Sequence, residues 1–184
     1  MKKGTKIICI DPRLSWFASR SKHHLRLRPG TDSALVMGFL NVIINQDLHD
    51  KQFLKRWTNG AHLIREDTGK LLREDDLTDT GSHGNFAAWD TINARPVIWD
   101  TADVTYRDSK ASPALSGQWE VVLANGDTVR CHTAWDEFCR EVNTYPLDRV
   151  EAITGVPAKD IRAAAELYAK SKPASIHWGV AVHM

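Results

Sequence analysis

The chain has 184 residues, 42% of them hydrophobic and 26% charged, with a formal net charge of +1 at pH 7. That is enough for one sizeable domain, or one domain carrying an insertion, and it argues against disorder and against two large independent domains. The near-neutral charge argues against nucleic-acid binding by bulk electrostatics, and no apolar run approaches the length that spans a bilayer.

Met-Lys-Lys-Gly at the start is not followed by an apolar core of signal-peptide length, so the expectation is a soluble chain without a targeting signal. Lys6 to Ile10 is β-branched and reads as a strand buried on both faces, stopped by Asp11-Pro12. A basic cluster follows, Arg20, Lys22, His23, His24, Arg26 and Arg28, able to hold an anion. Leu25 and Leu27 alternate with Arg26 and Arg28 as in a half-exposed strand. Pro29-Gly30-Thr31-Asp32 is then a turn in which Thr31 or Asp32 caps a helix with apolar positions Leu35, Val36, Phe39, Leu40, Ile43 and Ile44. Asp47 to Trp57 reads as a further helix burying Phe53, Leu54 and Trp57.

From Thr58 the pattern changes to short β-prone pieces between turns, with Trp119 to Cys131 a hairpin about Asn125-Gly126. Trp89, Trp99 and Trp119 are expected to pack this antiparallel insertion against the main body, and the acidic stretches Glu66-Asp67 and Glu74-Asp75-Asp76 to mark exposed turns. Helices return at 134–143, 147–154 and 161–170, and Ile176 to Val182 reads as a last strand. The expected fold is therefore α/β: an open, Rossmann-like, mainly parallel sheet with flanking helices and an inserted antiparallel β region. Its expected parts are 1–58 and 134–184 of one nucleotide-binding domain, cut short at its C-terminal end, around an insertion at 59–133.

Ligands of open α/β sheets lie at the carboxyl ends of the strands. Asp11 stands there, and its carboxylate can accept from ribose hydroxyls or from a purine's imino and amino groups, while Arg13 and Ser15 can donate to phosphate or ribose oxygens. The plainer alternative is that Asp11 closes a turn and pairs with Arg13. Gly30, Thr31 and Asp32 repeat the arrangement at the next strand end, where Gly30 permits close backbone approach and the other two either cap the helix or bind. Cys9, Cys131 and Cys139 lack Cys-x-x-Cys spacing and read as buried thiols. His23-His24 points to opposite faces and His177 and His183 read as packing or solvent-facing residues, so no metal site is expected. No catalytic constellation, phosphate-binding glycine loop or nucleophile elbow is present in the sequence.

Ile8-Cys9-Ile10-Asp11-Pro12-Arg13, Leu27-Arg28-Pro29-Gly30-Thr31-Asp32 and Asn41 to Ile44, with Asp50, Phe53 and Trp57 to Gly60, resemble the middle segment of molybdopterin oxidoreductases of the dimethyl sulfoxide reductase type. Val150 to Ala158, Ile161, Ala164, Tyr168-Ala169 and Trp178-Gly179-Val180 resemble the same family's approach to its next cofactor loop. The 59–133 region is more loosely similar to the thiosulfate and polysulfide reductases and to acetylene hydratase. The resemblance implies a molybdopterin guanine dinucleotide carrying molybdenum or tungsten in the full-length parent, with Asp11, Arg13, Ser15, Gly30, Thr31 and Asp32 on its guanosine end and Trp178 and Gly179 nearer the pterin. It implies oxygen-atom or electron transfer, or non-redox hydration as in acetylene hydratase. Implied partners are the remaining domains of the parent and an iron–sulfur electron-transfer subunit, in the cytoplasm or periplasm. The isolated fragment, lacking most of the cradle, is expected to hold the cofactor weakly or not at all and to be inactive. The alternative from another class is a stand-alone nucleotide-binding or interaction module.

Overall fold

The computed structural model of the chain describes residues 4–177. Backbone packing divides it into two compact units: an α/β unit, Met1–His49 with Glu141–Met184, and a β-rich unit, Asp50–Arg140.

The α/β unit begins with β1 (Ile8–Ile10), which pairs in parallel with β2 (His23–Leu25), Ile8 beside His23 and Ile10 beside Leu25. Pro12 has no N–H to extend the ladder, so β1 stops at Asp11. β1 is only half-buried, with Ile10 46% exposed, and so is not covered on both faces as its apolar run suggests. β2 lies two residues earlier than the Leu25–Arg28 alternation indicates. Arg28 leaves the ladder because its N–H donates to the Thr154 carbonyl and its guanidinium to the carbonyls of Ala152 and Ile153, at 2.8, 2.6 and 3.0 Å. α1 (Asp32–Asn45) then buries Ala34, Leu35, Gly38 and Val42, while Val36 faces out.

In the β-rich unit, Asp50 caps α2 (Lys51–Trp57), its carboxylate accepting from the Phe53 N–H at 2.9 Å. The helix does not reach back to Asp47, whose φ of 55° is left-handed, and Phe53 and Trp57 are 56% and 62% exposed rather than buried. The unit continues through β3 (Leu63–Arg65), α3 (Glu74–Leu77), β4 (Phe86–Asp90), β5 (Arg95–Asp100), β6 (Thr105–Tyr106), β7 (Gln118–Val122) and β8 (Thr128–Thr133). These strands form antiparallel sheets in the orders β3-β8-β7 and β4-β5-β6. Leu63, Leu72, Ala87, Val121 and Cys131 are fully or almost fully buried between them. Trp89 and Trp119 stack on each other at 5.2 Å, and Trp99 meets Tyr106 edge to face at 4.8 Å, so these rings are packing partners inside the unit.

The acidic stretch at 74–76 is not an exposed turn. Glu74 is 8% exposed, and its carboxylate accepts from Asn85 Nδ2 at 2.8 Å, from the Ser82 N–H at 3.2 Å and from both terminal nitrogens of Arg107. These donors hold its carboxyl below the usual range, the Asn85 amide first. Asp90, 1% exposed, closes the β4–β5 connection by accepting from the N–H groups of Ser112, Ile92 and Asn93 at 2.8, 3.1 and 3.3 Å.

α4 (Ala134–Asn143) leads back to α5 (Leu147–Thr154) and α6 (Ala158–Lys170). α5 and α6 pack on α1 through Leu35, Val42, Leu147, Val150, Ile161 and Ala164. Gly38 makes the approach possible: a Cβ there would stand 3.0 Å from Val150 Cγ1 and 3.4 Å from Ile161 Cγ2. Ile176 and His177 are not in a strand, and the rest of the anticipated last strand lies outside the described residues. Cys131 is buried, which raises its thiol to about 11, whereas Cys9 and Cys139 are half-buried. No helix among the described residues is long and apolar enough to cross a membrane.

Candidate functional site

The parallel register of β1 and β2 sends both strands out of one edge, so the chain leaves Ile10 and Leu25 side by side. On the β1 side, the Asp11 N–H donates to the Leu25 carbonyl at 3.3 Å. His24 Nε2 lies 2.9 Å from the Asp11 carbonyl, which only accepts, so Nε2 carries the proton. Arg26 Nε donates to the Pro12 carbonyl at 3.4 Å. Two members of the basic cluster thus hold the loop in place, and Arg28 closes the carbonyl end of α5. In sequence these bases read only as able to hold an anion, and the carbonyl contacts add a structural role. The Arg28 contact joins positions more than a hundred residues apart, for which no local pattern exists.

Within that loop, Asp11 Oδ1 accepts from the Arg13 N–H at 2.8 Å, and Arg13 Nε stands 3.7 Å from the same oxygen. Among the described residues only one carboxylate oxygen of Asp11 is engaged. The Arg13 side chain is 87% exposed, so the pair is held loosely and its guanidinium is open to a ligand. Ser15 Oγ accepts from the Ala18 N–H at 3.3 Å and lies 3.9 Å from Cys9 Sγ. Leu14, Trp16 and Phe17 beside it are exposed, and Arg20 stacks over Trp16 at 4.4 Å.

On the β2 side, the chain turns at Gly30 with a φ of +82°, a conformation that only glycine adopts without strain, and nothing lies within 4 Å of where a Cβ would stand. Thr31 occupies the N-cap position of α1 but does not cap it. Its hydroxyl instead donates to the Arg28 carbonyl at 2.6 Å, fixing the turn. Asp32 begins α1, and among the described residues its carboxylate has no hydrogen-bond or ion partner. The first N–H groups of a helix lack intrahelical partners, so this strand end offers donors and a free acceptor together.

The structure therefore brings Asp11, Arg13 and Ser15, and then Gly30, Thr31 and Asp32, to loops that follow one edge of the β1–β2 pair. Trp178 and Gly179 lie outside the described residues. No group of three or more His, Cys, Asp and Glu residues among the described ones could hold a metal ion.

The profile of the molybdopterin oxidoreductase family matches residues 1–180. The chain is 32% identical over 200 aligned positions to perchlorate reductase subunit alpha of Dechloromonas aromatica (strain RCB), covering 96% of this chain and 22% of that protein. It is 30% identical to dimethylsulfide dehydrogenase subunit alpha of Rhodovulum sulfidophilum, with 96% and 19% covered. Among solved structures, acetylene hydratase from Pelobacter acetylenicus superposes with a TM-score of 0.58 at 28% identity, covering all of this chain and 15% of that one. The chain thus spans about a fifth of the length of the curated relatives it matches. With the family profile covering nearly its whole length, and a parallel strand pair sending two acid-bearing loops from one edge, this chain belongs to the molybdopterin oxidoreductase family.

Proposed function

We propose that this segment forms part of the wall that holds the guanosine end of a molybdopterin guanine dinucleotide in a longer enzyme. The observation that carries the reading is the Asp32 carboxylate, unpartnered among the described residues, on a turn that follows the same strand edge as Asp11. The donor and acceptor set fits a guanine nucleotide. A carboxylate accepts the adjacent imino and amino protons of guanine, an exposed Arg13 donates to phosphate oxygens, and the open Gly30 backbone permits close approach. Asp11, with one oxygen uncommitted among the described residues, and Ser15, whose hydroxyl meets only the Ala18 N–H and the Cys9 thiol there, suit ribose hydroxyls. Trp178 and Gly179 extend this reading toward the pterin on the family resemblance alone.

The bound cofactor supplies a molybdenum or tungsten centre for oxygen-atom or electron transfer, and the residues of this segment bind and orient its nucleotide end. A second reading, non-redox hydration at tungsten, is favoured by the similarity to acetylene hydratase along the whole chain. The "subunit alpha" names of these relatives support further subunits beside the parent's other domains, and an iron–sulfur electron-transfer subunit is proposed among them on the family resemblance alone. On its own the 184-residue chain retains the pterin weakly or not at all, which pterin fluorescence after oxidation of the purified protein will show.

The direct test is calorimetric titration of guanosine monophosphate into the chain. Asp11→Ala and Asp32→Ala are each expected to weaken binding about tenfold or more, the loss of a charged hydrogen bond of about 1.5–3 kcal/mol. Unchanged affinity in both variants sinks the assignment.

A further inference from the structure

We propose that Arg28 is the positioning residue of the second acidic turn: it seats Gly30, Thr31 and Asp32 on the carboxyl end of α5 and so fixes the edge that meets the ligand. The inference deepens the guanosine reading and rests on it. The last four carbonyls of a helix have no intrahelical donor. In α5 they belong to Glu151, Ala152, Ile153 and Thr154. Gly155, left-handed at a φ of +75°, donates its N–H to the Glu151 carbonyl at 2.8 Å and ends the helix. Arg28 takes the other three, its guanidinium donating to Ala152 and Ile153 at 2.6 and 3.0 Å and its backbone N–H to Thr154 at 2.8 Å. A cation also suits the negative end of the helix dipole. One residue of the strand-end loop thus caps a helix whose first bonded carbonyl lies 124 positions further along the chain.

From Arg28 the bonds run on into the turn. Its carbonyl accepts from the Thr31 hydroxyl at 2.6 Å and from the Thr31 N–H at 3.3 Å, and the Thr31 carbonyl accepts from the Leu35 N–H at 3.2 Å in the first turn of α1. Among the described residues no other hydrogen bond or ion pair ties residues 29–32 to a distant part of the chain. Nothing lies within 4 Å of where a Gly30 Cβ would stand, and the Asp32 carboxylate has no partner there. The apolar anchors sit to either side: Leu27 and Leu35 are buried and hold the strand end and the helix, but not the turn between them. The turn therefore takes its conformation from Arg28. A site that visits its binding conformation only part of the time loses affinity in proportion to that fraction, so a residue that touches no ligand can still set how tightly the turn binds one.

The test compares the 184-residue chain with Arg28→Met and Arg28→Lys, by amide hydrogen exchange without ligand and by calorimetric titration with guanosine monophosphate. Arg28→Met is expected to speed exchange from Thr31 to Leu35 and to weaken the nucleotide about tenfold, the loss that follows when the turn is competent about a tenth of the time. The urea midpoint should move little, because Arg28 is exposed and the two carbonyls its guanidinium leaves regain water. Arg28→Lys, whose ammonium reaches the same carbonyls as a point donor, is expected to recover part of both the protection and the affinity. Exchange unchanged in Arg28→Met, or affinity unchanged despite faster exchange, overturns the proposal. If the unaltered chain does not bind guanosine monophosphate, it is the guanosine reading that fails, and exchange from Thr31 to Leu35 then decides alone whether Arg28 holds the turn.

Discussion

In the β-rich unit, Glu74, Asp90 and Asp100 accept from backbone N–H groups and from Asn or Arg side chains, and each carboxyl is held below its usual range by those bonds. In the α/β unit, Asp32 accepts from nothing among the described residues and Asp11 only from its own loop. The difference follows from what each unit uses to hold itself together. Short strands with long connections leave many backbone donors to satisfy, and buried acids do that work at the turns. The α/β unit is held by helix faces packed through Leu35, Val42, Val150 and Ile161, so its edge carboxylates are released from structural duty. An acid that the fold does not use is the better candidate for binding.

The largest effect that tests this contrast is on the apolar side. Leu35 is 2% exposed, and Leu35→Ala is expected to cost about 3 kcal/mol through lost burial and the cavity left behind. The loss is read as a lower urea midpoint, with hydrogen exchange accelerated first in α1, α5 and α6. A comparable effect in the β-rich unit comes from pH. His62 is buried, stacks on Phe86 at 5.1 Å and has its pKa lowered to about 4 by burial. The unfolded chain therefore binds a proton that the folded one refuses. Stability from this group is complete above the unfolded value near 6.5 and declines as pH falls toward 4, by up to about 3 kcal/mol. His62→Phe is expected to flatten the urea midpoint against pH over that window. Next in size, Glu74→Gln is expected to cost about 2 kcal/mol, because Arg107 loses one charged partner but keeps Asp100 and, half-exposed, regains water.

The parts of the fold legible from sequence were those set by short-range chemistry. The helical spacing of Leu35, Phe39, Leu40 and Ile43 marked α1, Asn125-Gly126 marked the β7–β8 hairpin, and Asp11-Pro12 marked the end of β1. Helix starts were harder. Asp47 and Asp50 are both acids before an apolar run, and only the backbone shows that Asp47 turns left-handed while Asp50 caps. Partners distant in the chain were not legible at all. Glu74 meets Arg107 thirty-three positions on, so its burial was hidden behind an acidic run that reads as solvated. For the candidate site, the sequence located the two acidic turns, and the parallel register of β1 with β2 is what brings them to one edge. The roles of Arg26 and Arg28 between them stayed open in the sequence, because a guanidinium that binds a carbonyl looks there like one that awaits an anion.

The smallest stability effect is the one that separates the two kinds of acid most sharply. Asp32 contributes to the fold only through its place in the first turn of α1, where a negative charge favours the helix by about 0.3–1 kcal/mol. Asp32→Asn should therefore lower the urea midpoint by less than half as much as Glu74→Gln while weakening guanosine monophosphate at least as strongly as it would any ligand held by that carboxylate. Asn keeps the shape and one acceptor but presents an amide donor to the imino or amino proton it formerly received. A binding loss with stability retained assigns Asp32 to the ligand. A stability loss equal to that of Glu74→Gln, with binding unchanged, makes it one more structural acid and removes the contrast between the units.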